Sequence, residues 1–278
     1  MLHAKKAMGV IRLLIKRYFQ DQVGRSAAEL AYYLLFSLFP LLIFINAAIS
    51  MLHLSPQALS SAVENLLPPQ AAQLLTAYLR YIQDLDTPLL LYACLFLTVY
   101  ALSRASTSLL RALSGAYRLP RRNRTNLITG VLLSIILLVS LVMLMLVLVV
   151  SENVLLQVNR FFALPELLLR LWNLLRVMVV PGYMLIVLSC FYATVGRRRY
   201  AFRHALPGAF FAVILGFGVS TAFSYYINHA TRYSLLYGSL TAFMVLMLWL
   251  YLISAVIVLG GELNVILANH TDLLDKGE

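Results

Sequence analysis

Six stretches of this chain, residues 27–53, 88–110, 127–150, 171–195, 206–228 and 239–267, each run for more than twenty residues with no more than one charged side chain. At a rise of about 1.5 Å per residue, a helix of roughly twenty residues crosses the ~30 Å hydrocarbon layer of a bilayer. The runs are continuously apolar rather than alternating, which excludes barrel strands. A helix also satisfies its own backbone groups where no water is present. The expected fold is all-α, a six-transmembrane-helix bundle formed by residues 1–278 as a single integral membrane domain. Composition leads the same way: 62% of residues are hydrophobic and 12% charged, against about 25% charged in soluble domains. The first apolar run is too long for the core of a signal peptide and lacks a small-residue cleavage site, so it is expected to remain as a helix.

The net charge of +11 would suit nucleic acid, but the position of the basic residues along the chain explains it differently. Sixteen of the 22 Lys and Arg residues fall before the first run, between the second and third, between the fourth and fifth, or after the sixth. The opposite loops hold Arg80, Arg160, Arg170 and Arg232, together with Glu64, Asp84, Asp86, Glu152 and Glu166. The positive-inside rule then puts both termini in the cytoplasm, and no nucleic-acid partner is expected.

Three segments outside the runs are amphipathic. Residues 1–26 form a cytoplasmic segment in which Met8, Ile11, Leu14, Ile15, Tyr18 and Phe19 share a helical face, with Lys5, Arg12, Lys16 and Arg17 off it. That pattern suits an interfacial helix on an anionic leaflet. Residues 54–87 form an outer-surface loop with short helices, its stripes being Leu59, Val63, Leu66 and Leu67 and then Leu75, Tyr78, Leu79 and Ile82, on either side of Pro68 and Pro69. Residues 152–170 repeat the pattern around Pro165. With three runs in each half, the first run of each half carries an internal proline, Pro40 in one and Pro181, followed by Gly182, in the other. Broken helices in inverted repeats have this arrangement, although membrane helices also tolerate proline when neighbours satisfy the freed carbonyl.

Ionisable side chains inside membrane spans are costly and mark function or structural pairing. Glu29, Arg104 and Glu262 are expected at similar depth near the cytoplasmic side, where they could meet in one cluster. Tyr32, Tyr33, Ser37 and Asn46 in the first run, Ser103, Ser106, Thr107 and Ser108 in the second, and Asn264 in the sixth extend it. They either line a polar groove among these runs or join helices by hydrogen bonds. Gly208, Ala212 and Gly216, at i, i+4 and i+8, form a small-residue stripe expected to pack closely on a neighbour.

Catalytic patterns are missing from the sequence. His3, His53, His204, His229 and His270 are scattered singly, without a metal-ligand spacing, a nucleophile elbow or a phosphate-cradling loop. No enzyme activity, cofactor or metal is expected. Cys94 and Cys190 lie in apolar runs, as small hydrophobic residues do.

Two stretches carry a family resemblance. GRSAAELAYYLLFSLFPLLIF, from Gly24, and YGSLTAFMVLMLWLYLISAVIVLGGELNVIL, from Tyr237, resemble the two signature regions of the YihY/BrkB family of bacterial inner-membrane proteins, formerly labelled ribonuclease BN. The matching positions are Glu29, Tyr32, Tyr33, Ser37 and Pro40, then Tyr237, Gly238, Trp249, Gly260, Gly261, Glu262 and Asn264. The resemblance implies a six-helix protein of the inner membrane concerned with envelope integrity, and some members are linked to the movement or tolerance of lipids. The residues give the ribonuclease label no chemical support. Two roles fit. One is a non-enzymatic protein handling lipid or another amphipathic molecule in a lateral polar groove, with membrane lipids as partners. The other is a scaffold for envelope proteins. A small-solute channel would need a continuous polar path that the third and fifth runs do not supply.

Overall fold

The computed structural model describes residues 2–51, 69–82, 88–117, 129–144, 147, 166–196, 202–229 and 240–274. Among the described residues the chain is all-helical: α1 (Leu2–Gln20), α2 (Val23–Met51), α3 (Pro69–Ile82), α4 (Pro88–Ala116), α5 (Thr129–Leu144), α6 (Glu166–Gly196), α7 (Phe202–His229) and α8 (Leu240–Leu274). Five of these, α2, α4, α6, α7 and α8, are long and apolar enough to cross a membrane. The third apolar run falls on α5, a shorter apolar helix, and its two ends lie outside the described residues. So do residues 59–67, expected as a first surface helix, and residues 152–165. Glu166–Arg170, expected at the surface, instead opens α6.

Prolines mark helix starts and do not break the spans. Pro69 and Pro88 open α3 and α4, where a missing N–H costs nothing. Pro40 and Pro181 lie inside α2 and α6, and both helices continue through them; a broken-helix site is not formed at either. Gly182, beside Pro181, faces open space.

The turn between α1 and α2 is set by one residue. Asp21 N–H donates to the Arg17 carbonyl, Gln22 takes a φ of 51°, and its carbonyl accepts from Arg25 and Ser26. A left-handed residue ends one helix and its carbonyl starts the next, which folds α1 back onto α2 and α8.

Two apolar cores stack along the bundle. One gathers Leu35, Leu42 and Ile45 of α2, Leu102 of α4, Leu138 of α5 and Leu246 of α8, with Leu75 and Leu79 of α3 closing over them. The other joins Val23 and Leu30 to Leu109 and Leu113 of α4, Phe191 and Tyr192 of α6, Ala209 of α7 and Val256 of α8. Each of α2, α4 and α8 runs through both cores, with α2 antiparallel to the other two.

Helices α7 and α8 approach closely. A Cβ on Gly260 would come within 2.6 Å of both the Gly208 carbonyl and the Tyr192 hydroxyl. A Cβ on Gly208 would overlap the Gly260 carbonyl, and one on Gly261 would overlap Leu113. Glycine is required where backbones meet in this way. Gly208 and Ala212 of the expected stripe fulfil the role, whereas Gly216 has only Ile253 at 3.9 Å. Trp249 secures the far end of the pair, donating from its indole to Ser220 at 3.1 Å. Gly238 and Tyr237 lie outside the described residues.

Candidate functional site

Arg104 lies inside the helix Pro88–Ala116, sixteen residues or about 24 Å from its start and twelve residues or about 18 Å from its end. An arginine side chain can snorkel over only part of that distance. Its guanidinium is half-buried, donates from Nη2 to the Tyr33 hydroxyl at 3.1 Å, and lies 5.3 Å from the Tyr33 ring centroid. The cation is thus held by a hydroxyl and a π face. Glu29, one turn before Tyr33, is within electrostatic reach of it.

Around this pair, exposed polar and aromatic side chains of α2 and α4 mark out a candidate groove. Tyr32 and Phe36 of α2 are 48% and 52% exposed, and Tyr100 of α4 is 56% exposed. Tyr32 meets Phe36 at 4.9 Å and Tyr33 at 5.4 Å between centroids. Towards the α1 end of the bundle, Arg111 approaches Glu29 at 3.9 Å with both side chains well exposed. Such a pair contributes little to stability. Arg111 and Tyr100 were not singled out in the sequence. The signal was present in their spacing, because Tyr100, Arg104 and Arg111 stand four and seven residues apart and share a helical face.

Glu29, Tyr32, Tyr33 and Arg104 are therefore brought together, while Ser37, Glu262 and Asn264 are not part of the groove. Ser37 is buried and its hydroxyl donates to the Leu34 carbonyl of its own helix at 2.8 Å. Glu262, 1% exposed, takes Arg17 of α1 at 3.0 Å. It lies nearer the α1 end than expected. The neighbouring Gly261 packs on Leu113, nine residues or about 13 Å along α4 from Arg104. The three ionisable residues thus do not share one depth, and the reason is the α1–α2 turn, which presents a closer cation to Glu262.

Asn264 is a clasp between α7 and α8. Its Oδ1 accepts from Gly208 N–H at 2.7 Å and its Nδ2 donates to the Ala205 carbonyl at 3.1 Å. Thr107 likewise bonds to the Ser103 carbonyl of its own helix and packs against Gly130 of α5. Ser106 and Ser108 are buried among neighbouring helices, with no hydrogen-bond partner among the described residues. Cys94 is buried, Cys190 exposed, and both are free thiols.

A family model described as virulence factor BrkB matches residues 14–278, which takes in every element of the groove. The chain belongs to the BrkB family. Among similar proteins, a Bacillus subtilis protein named ribonuclease-like protein YfkH is 31% identical over 97% of this chain and 98% of its own. A UPF0761 membrane protein of Xanthomonas campestris pv. campestris is 29% identical over 91% of this chain. The chain spans only 59% of that relative's length. No solved structure matches.

Proposed function

We propose that this BrkB-family protein handles lipid, or an amphipathic molecule built like one, along the lateral groove between α2 and α4. It does so as a non-enzymatic protein of the bacterial inner membrane with both termini in the cytoplasm, and its service is to envelope integrity. The observation that carries the proposal is Arg104. A cation within an apolar helix is expensive, and a purely structural arginine would be matched with a buried carboxylate. Arg104 instead has a tyrosine as its hydrogen-bond partner, beside exposed aromatic side chains of α2 and α4. A polar headgroup drawn in from the α1 end would find Arg111 and Glu29 at the mouth and Arg104 at the deep end. Its acyl chains would stay in the bilayer against Tyr32, Phe36 and Tyr100.

The test is lipid transfer between labelled vesicles by reconstituted protein, run beside melting temperature in detergent, for Arg104→Ala, Glu262→Gln and the double variant. Arg104→Ala should fold and lose transfer. Glu262→Gln, which alters the α1 anchor outside the groove, should affect stability more than transfer. Folded protein with wild-type transfer in all three would eliminate the groove and favour a scaffold for envelope proteins.

A further inference from the structure

We infer that the headgroup taken by this groove is anionic and phosphate-bearing, and that it moves over arginine rungs spaced seven residues apart. The inference rests on the groove function proposed above and specifies its substrate class. Arg104 and Arg111 lie on one face of α4, about 10 Å apart along the helix. Arg111 stands nearer the helix end that meets α1, and Arg104 lies deeper along the helix. Arg118 repeats the interval in the sequence but lies outside the described residues.

The chemistry of the upper rung selects an anion. Among the described residues, Arg104 makes one hydrogen bond, to a neutral hydroxyl. A guanidinium carries five N–H donors in a planar fork that matches two phosphate oxygens at once. The lower rung is available as well, because Glu29 holds Arg111 only at 3.9 Å in an exposed pair, and a doubly hydrogen-bonded phosphate is a stronger partner. The described charges of the groove are two arginines and one glutamate, so one negative headgroup neutralises it. A cationic headgroup is disfavoured because it would meet the two arginines against a single glutamate.

The full chain in detergent should be titrated with dioctanoyl phosphatidylglycerol, dioctanoyl phosphatidylcholine and inorganic phosphate, with melting temperature and native mass spectrometry as readouts. Phosphatidylglycerol should bind on the order of tenfold more tightly than phosphatidylcholine. Arg104→Gln should remove that preference, Arg111→Gln should reduce it, and Arg104→Lys should retain part of it, since a point charge replaces the fork. Arg104→Lys also guards against a folding defect in the glutamine variant. Equal binding of the two lipids, lost together in Arg104→Gln, would overturn the anionic assignment and leave the groove intact. Binding of neither would overturn both. Inorganic phosphate matching phosphatidylglycerol at equal concentration would overturn the lipid source and assign the site to a free anion.

Discussion

Replacing Arg104 with leucine should leave the fold nearly as stable as the wild type. On insertion scales, arginine within a span costs up to about 3 kcal/mol and leucine gains up to about 0.5, so the exchange favours leucine by up to roughly 3.5 kcal/mol. Against this stand the hydrogen bond to Tyr33 at 3.1 Å and the ring contact at 5.3 Å. These contribute about 1.5–3 and about 0.5–1 kcal/mol respectively. The two sides nearly cancel, and Arg104→Leu should lie within about 1.5 kcal/mol of wild type. Breaking a buried ion pair would instead cost about 3–5 kcal/mol. Tyr33→Phe should destabilise wild type by about 1–2 kcal/mol and the Arg104→Leu background hardly at all, giving a coupling of similar size. Reversible unfolding in mixed micelles measures all four corners of this cycle. A loss of 3 kcal/mol or more in Arg104→Leu alone would make Arg104 a structural residue and refute the reasoning.

Four other perturbations follow from the packing. Asn264→Leu removes both hydrogen bonds of the α7–α8 clasp and should cost about 2–4 kcal/mol, read as a lowered unfolding midpoint. Gly260→Val should be worse tolerated than Gly216→Val, because a Cβ on Gly260 would meet the Gly208 carbonyl at 2.6 Å while one on Gly216 would meet Ile253 only at 3.9 Å; overpacking of about 1–3 kcal/mol should separate them in thermal melts. Gln22→Gly should stabilise by up to about 1 kcal/mol, since a φ of 51° strains any residue with a Cβ, and a lowered melting temperature would count against the turn described. Cysteine labelling in a background without Cys94 and Cys190 should find Ser60 outside and Asn123 inside; reversed labelling would invert the topology.

The helices were legible because a run of apolar residues in lipid has one backbone solution, whereas their ends were less so: α4 continues past Leu110 to Ala116 and α6 begins at Glu166 rather than Leu171. The Glu29, Tyr33 and Arg104 grouping was legible because each is a polar residue on an apolar helix. Register was not legible. Whether Glu262 meets Arg104 or Arg17 depends on how far α8 slides along α4 and on where the Gln22 turn folds α1, and both are decided by packing between residues far apart in sequence. Asn264 was open to either reading for the same reason. Its partners are the Gly208 N–H and the Ala205 carbonyl, backbone groups whose proximity follows from the Gly208–Gly260 contact. Tyr100 and Arg111 were overlooked although their interval from Arg104 places them on its face, since each alone resembles an ordinary interfacial residue.

The central claim is that a headgroup enters between α2 and α4 as far as Arg104. Cryo-electron microscopy of the protein in nanodiscs rich in phosphatidylglycerol tests it most directly. Lipid handling in the groove predicts headgroup density within hydrogen-bonding distance of the Arg104 guanidinium, with acyl chains passing Tyr100 and Phe36. Acyl chains alone sealing the α2–α4 surface, with Arg104 held only by Tyr33, would contradict it.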